Sequence, residues 1–384
     1  MTRAMALAGA GIAWAIGVGQ AGAVEHRLSA LAMGEGLQDD DRPAHGAALL
    51  AWDMTGLPRD ASLGLIYNTD TLRLEVDGLR LSDAAFFGAR VTGEAFIAGL
   101  SRDYWQDGGV LLDRTFTSSY VQAQAWLKLR LAEPAWFEIE IGGRRWFAGA
   151  TDDSADAFVL PPEAWVFEPR LRFTWWGAED DAAWHDRQRL FARVGGFAAG
   201  VEAGFDARSE AAPWGARDAR VFARPDLRND PGQFAARLRQ WAIAGWQALP
   251  AVRVQAAEEA GVASGDDDLT RRRLGGLNPY VAQVPGVPWA HHLVDDYAQG
   301  VLGIHVKVAG DVELGPMAAV AAVVDPRRTG ATDDVAAEYG LGLFVDARLG
   351  AWQADLRGGW SPSLSERTGA PGWNVLLGVG WASR

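Results

Sequence analysis

The stretch "VQAQAWLKLRLA", residues 121–132, decides the fold. In an extended chain Val121, Ala123, Ala125, Leu127, Leu129 and Leu131 fall on one side. Gln122, Gln124, Lys128 and Arg130 fall on the other, with Trp126 among them. A period of two is that of a β-strand, whose side chains alternate between faces. One face is apolar and the other wet. The apolar face has to meet either a protein core or lipid, and the fold class turns on which.

The alternation recurs along the chain. Strand-like segments fall at 26–33, 46–54, 61–69, 71–80, 85–98, 118–132, 135–149, 164–177, 187–208, 233–249, 251–264, 295–310, 312–325, 336–350, 351–360 and 372–382. The segment 187–208 counts as one strand bent at Gly195-Gly196. Short turns near 55–60, 81–84, 133–134, 250, 310–311 and 350 alternate with longer loops at 99–117, 149–163, 209–232, 265–294, 325–335 and 361–371. Short turns on one rim and long loops on the other are the mark of an outer-membrane barrel. An even strand count with both ends on the short-turn rim fits a single-chain bacterial barrel.

Three features favour lipid over a core. The faces opposite the apolar rows carry both signs of charge: Lys128, Arg130, Glu138, Glu140, Arg170, Arg172, His305, Lys307, Asp346, Arg348, Asp355 and Arg357. A water-containing lumen tolerates such a mixture, and the charges can pair. Tyr120, Trp136, Trp146, Trp165, Trp175, Trp176, Trp352, Trp360, Trp373 and Trp381 stand at strand ends, where aromatic girdles meet the membrane interface. Hydrophobic residues reach 49% of the chain without a long continuous run. The expectation is an all-β, transmembrane antiparallel barrel of 16 strands, closed because unpaired backbone in hydrocarbon costs several kcal/mol per group.

Composition narrows the function. A net charge of -13 excludes a nucleic-acid partner. The absence of cysteine excludes disulfides, thiol catalysis and cysteine-ligated metal. The acidic clusters Asp39–Asp41, Asp152-Asp153, Glu179–Asp181, Asp266–Asp268 and Asp333-Asp334 read as solvated loop charge. Divalent-cation bridging to an anionic surface is the sharper alternative, and none has EF-hand spacing. At the N-terminus, Arg3, the apolar "AMALAGAGIAWAIGVG" and Ala21-Gly22-Ala23 fit a cleaved secretory signal over residues 1–23, followed by the barrel over 24–384. The expected location is the cell outer membrane of a Gram-negative bacterium.

The C-terminal part resembles a known family. The loop between the eleventh and twelfth expected strands contains "RRRLGGLNPYVAQVPGVPW", residues 271–289. It is similar to the sixth outer loop of the BamA/TamA-type surface-antigen barrels, which have 16 strands. Arg273 with Leu274, Gly275 and Gly276 matches a basic residue followed by Leu-Gly-Gly. The family's Arg-Gly-aromatic turn reads Pro285-Gly286-Val287, which keeps only Gly286. "LGPMAAVAAVVD" resembles the next family strand and puts Asp325 where the family's loop arginine finds its lumenal partner. Arg271, Arg272 and Arg273 are the basic residues that could replace that arginine. "EYGLGLFVDARLGAWQADLRGGW" and "NVLLGVGW" resemble the closing strands. The resemblance implies a loop that folds into the lumen, and a pore, translocation or assembly role. The implied partners are outer-membrane lipid, lipopolysaccharide, and periplasmic or secreted protein clients. The family's periplasmic POTRA modules have no counterpart, since strands begin almost directly after Ala23.

Other constellations carry less. "HHLVDD", residues 291–296, brings His291, His292, Asp295 and Asp296 together, but adjacent strand residues point to opposite faces. Glu138 and Glu140 share a face as an acid/base pair would, yet ion pairing with Arg144 or with cations across strands accounts for them. No G-x-S-x-G, P-loop or zinc motif is present. The reading is therefore not an enzyme, with no catalytic, cofactor or metal site. The rival readings are a porin-like channel for small solutes, an outer-membrane hydrolase built on a Ser-His pair, and a soluble periplasmic β-sandwich.

Overall fold

The computed structural model describes residues 24–37, 45–68, 71–94, 100–106, 109–152, 154–178, 195–216, 228–267, 269–274, 284–287, 292–324, 335–364 and 370–382. Sixteen antiparallel strands form the wall. The first half comprises β1 (Glu25–Leu37), β2 (His45–Thr55), β3 (Ser62–Asn68), β4 (Thr71–Ser82), β5 (Ala85–Glu94), β6 (Gly109–Ala132), β7 (Ala135–Ala150) and β8 (Arg170–Ala178). The second half comprises β9 (Gly196–Arg208), β10 (Phe234–Leu249), β11 (Val252–Ser264), β12 (Asp296–Ala309), β13 (Val312–Val324), β14 (Val335–Leu349), β15 (Trp352–Ser361) and β16 (Gly372–Ala382). Each pairs with the next, and β1 pairs with β16 over eleven residues, from Arg27↔Ala382 to Leu37↔Gly372. The sheet is a closed barrel. Closure removes the edge that a bilayer would not tolerate.

The opening stretch lies in β6 with the expected faces. Gln122, Gln124, Trp126 and Lys128 are buried toward the inside, while Ala123 and Leu131 are exposed on the outside. The outer face is apolar around the barrel, with Leu28, Ile141, Leu171, Phe197, Leu302, Leu343 and Leu377 all exposed. Exposed large aliphatic side chains on every side suit acyl chains, not water.

Several boundaries differ from the expectation. β6 begins at Gly109, and its outer half pairs with an extra strand, Leu100–Gln106, within the span read as a loop. The hydrogen-bond ladder there, interrupted by a register shift between Arg102 and Tyr104, overrides the Gly-rich composition. β9 begins at Gly196; residues 187–194 lie outside the described residues. The outer end of β8 is broken at Glu168-Pro169 and continues as Trp165–Phe167, since proline offers the ladder no donor.

The aromatic girdle is only partly present. Trp165, Trp175, Trp352, Trp360 and Trp381 are exposed on the outside. Trp146 is buried, and Trp136 and Trp176 share the inward parity of Glu138 and Arg172. These inner indoles serve cations and each other. Arg130 lies over Trp136, Arg144 lies over Tyr120 and Trp146, and Trp176 packs on Trp241.

Leu343 lies mid-strand on the lipid side of β14 at 68% exposure. Leu343→Arg should destabilise the folded barrel by about 2–4 kcal/mol, the cost of a cation near the bilayer midplane. Denaturant unfolding in lipid vesicles measures it. An exposed leucine facing water would show almost no effect.

Candidate functional site: the lumen and its seated turn

The inner wall carries a charged network on one side and an apolar patch on the other. On the charged side Lys128, Glu138, Arg172, Glu202 and Arg239 stand directly opposite one another across β6–β10. The charges alternate in sign from strand to strand, the favourable arrangement for cross-strand neighbours. Arg172 donates from Nε to Glu202 at 2.7 Å and also donates to Glu138. Lys128 Nζ reaches Asp77 on β4 at 2.6 Å, and the Trp126 indole N–H donates to the same carboxylate at 2.8 Å. Arg90 and Arg170 lie 3.7 and 3.9 Å from Glu140. Arg144 is not the partner of Glu138 or Glu140, because it is held by Glu168 at 2.7 Å. Buried carboxylates without such partners would carry a large desolvation cost, so the network has to be nearly complete.

On the other side, β12–β14 turn Val301, Ala319, Ala321, Val323 and Ala336 inward. An apolar lumen wall would be wetted unless something covered it. Leu274, Val284, Val287, Val294 and Leu364 do so, and all are buried. The first four come from the loop between β11 and β12. Its two arms pair as Arg272–Leu274 with His292–Val294. The loop is therefore held down partly by the hydrophobic effect.

Its tip is held by geometry. Pro285-Gly286-Val287 lies against the inward faces of Gly340 on β14, Gly359 on β15 and Gly372 on β16. A Cβ at Gly340 would collide with the Pro285 carbonyl oxygen, and one at Gly359 or Gly372 with the Gly286 backbone. Gly286 itself has φ +79°, a conformation that other residues rarely adopt. Asn374 on β16 completes the seat. The Gly286 N–H donates to Asn374 Oδ1 at 2.9 Å, and Asn374 Nδ2 donates to the Val287 carbonyl at 3.0 Å. One side-chain amide satisfies two backbone groups of the buried turn, the Gly286 N–H and the Val287 carbonyl.

Basic residues tie the rest of the loop to the wall. Arg272 donates to Glu259 on the inner face of β11 at 2.9 Å, and the Tyr297 hydroxyl donates to the same carboxylate. Arg271 pairs with Asp295 at 3.0 Å. Asp266 and Asp267 are not solvated loop charge: both are buried. Asp267 accepts from Arg208 at 3.3 Å and from the Trp214 indole at 3.1 Å. Asp266 accepts from Arg237. Burial alone would raise the Asp266 carboxyl, but Arg237 overcomes it and holds the group below the usual aspartate value. Two acids that composition assigns to solvent are thus the root of the loop.

Of the residues singled out from sequence, the structure brings Leu274 and Gly286 into this seat. Arg273 pairs through its backbone with Leu293. Gly275, Gly276 and Asp325 lie outside the described residues. Among the described residues, the loop arginine that meets a lumenal carboxylate is Arg272, and its partner is Glu259. Asn374 is the residue that sequence reasoning missed. It is the one polar side chain in "GWNVLLGVGWA", and its parity points inward.

No protein-family model and no curated protein matches this chain in sequence. Solved structures do match in shape. BamA from Haemophilus ducreyi lacking POTRA domains 1–3 superposes at TM-score 0.63 and 8% identity, over 94% of this chain and 70% of that one. The fold is that of the BamA-type barrel. CdiB from Acinetobacter baumannii matches at TM-score 0.57 and 10% identity, and CdiB from Escherichia coli at 0.57 and 11%. This chain covers 94% and 93% of itself in those matches and spans 60% and 63% of the CdiB chains. With its closed 16-stranded wall and apolar exterior, the chain is an outer-membrane β-barrel.

Asn374→Ala should strand two buried backbone groups and weaken the seating of the turn by about 2–4 kcal/mol. Gly340→Val should expel the turn altogether. Hydrogen exchange at Gly286 reads both, with faster exchange expected in that order.

Proposed function

We propose that this chain is a plugged translocation or assembly barrel of the outer membrane, and that the loop 265–294 partly closes its lumen. The observation that carries this reading is the seat of Pro285-Gly286-Val287 on three inward glycines, clamped by Asn374. A diffusion porin needs a clear passage. Here one side of the inner wall is crossed by ion pairs and the other is covered by a loop. The resemblance of 271–289 to the sixth outer loop of BamA/TamA-type barrels supports the same role, with Arg272 and Glu259 doing what an arginine and Asp325 do in the resemblance. Residues 1–23 are a cleaved signal, so N-terminal sequencing of the protein from membranes should begin at Val24. The partners are outer-membrane lipid and lipopolysaccharide, together with periplasmic or secreted polypeptide clients, and the role is not enzymatic.

Planar bilayer recordings test the plug. The wild-type barrel should stay near its closed level with brief openings. Asn374→Ala should raise the open fraction by about tenfold or more, the equivalent of 1.4 kcal/mol in an equilibrium. Stable, large steps from the wild type, unchanged in Asn374→Ala, would identify a porin-like channel instead.

A further inference from the structure

The lipid-facing surface is not uniform. Over β7, β8 and β14–β16 its middle is built from large side chains such as Ile141, Phe173, Leu343, Leu356 and Leu377. On β10 and β11 the same depth carries Gln240 and Glu258, both exposed. Each is mid-strand: Gln240 is the seventh residue of Phe234–Leu249, and Glu258 the seventh of Val252–Ser264. Ala260 stands opposite Gln240 and Ala242 opposite Glu258, so the two polar groups are diagonal neighbours. The row continues onto β12 as Ala298 and Gly300, and nothing lies above Gly300. The result is a shallow depression floored by methyl groups and bare backbone, holding one amide and one carboxyl.

Acyl chains offer such groups no hydrogen bonds. Gln240 and Glu258 make no hydrogen bond or ion pair with the described residues. Arg145, which also faces outward on β7, pairs with Glu163 at 3.3 Å; Glu258 has no such partner among the described residues. Uncovered ionisable groups inside a bilayer are costly and mark contacts. Small residues around them let another backbone approach closely.

We infer that this face is the interface between two copies of this chain, packed about a two-fold axis along the membrane normal. A two-fold axis brings each patch against itself in reverse. The Gln240 amide of one copy then donates to the Glu258 carboxyl of the other, and the same bond forms again across the axis. The patch holds both halves of that bond at diagonal positions, so it is complementary to itself. A partner bearing a lysine or arginine would answer Glu258 but leave Gln240 unmatched.

The absence of native cysteine makes the test clean. Ala260→Cys, beside the axis, should form a disulfide-linked dimer of this chain in native membranes under mild oxidation. Ala354→Cys, on the outer face of β15, should not. Adding Glu258→Leu or Gln240→Leu should lower the linked fraction by about tenfold or more. The double exchange Gln240→Glu with Glu258→Gln keeps self-complementarity and should restore it. A heat-modifiability gel establishes that each variant is folded. Cross-linking at Ala260→Cys no greater than at Ala354→Cys would overturn the inference. So would adducts to a different protein, or a linked fraction indifferent to both leucine variants.

Discussion

The structure depends on one constraint: inside hydrocarbon, every backbone N–H and C=O must find a partner within the protein. A sheet satisfies this only by closing. The eleven-residue pairing between β1 and β16 is therefore the condition on which the other fifteen pairings persist in lipid. Closure also fixes the faces. Once the ring is complete, period-two alternation sends every second side chain to lipid and the rest to a lumen, where they must satisfy one another. The apolar exterior and the paired interior are two consequences of the same ladder.

The interior solves its problem in two ways. Across β6–β10 alternating charges neutralise each other between adjacent strands, with Arg172 between Glu138 and Glu202 at the centre. On β12–β14 the wall carries a patch of small apolar residues beside the buried Gln299, His305, Glu338 and Asp346, and a loop is laid on that patch. The seat of that loop is made by what is missing. Gly340, Gly359 and Gly372 leave a groove in which a backbone turn fits, and Asn374 supplies the hydrogen bonds that the turn cannot make for itself. Because Asn374 lies opposite Glu35 of β1, the residue that clamps the loop also belongs to the closing seam.

Much of the wall was legible because alternation is a local signal. All sixteen barrel strands fall on segments that alternate in sequence, and the segment that resembles the family's sixth outer loop joins the eleventh and twelfth of them. The start of β6 at Gly109 was hidden, since glycine and polar residues carry no amphipathic pattern while still extending a hairpin. The inward indoles were readable from parity: Trp136 shares a face with Glu138, and Trp146 with Arg144. Counting them as girdle residues gave strand-end position more weight than parity. Asp266 and Asp267 could not be recognised as buried, because their partners Arg237 and Arg208 are distant in sequence and meet them only when the barrel closes. The glycine seat was hidden for the same reason, since its three glycines come from three strands.

The most direct test of the account is spin-label accessibility scanned one residue at a time through 121–132 in lipid vesicles. Labels at 121, 123, 125, 127, 129 and 131 should collide with oxygen dissolved in the bilayer, and labels at the intervening positions should not. An inverted pattern, or a water-soluble relaxing agent reaching the odd positions as readily as oxygen, would mean that the apolar face of this strand does not meet lipid.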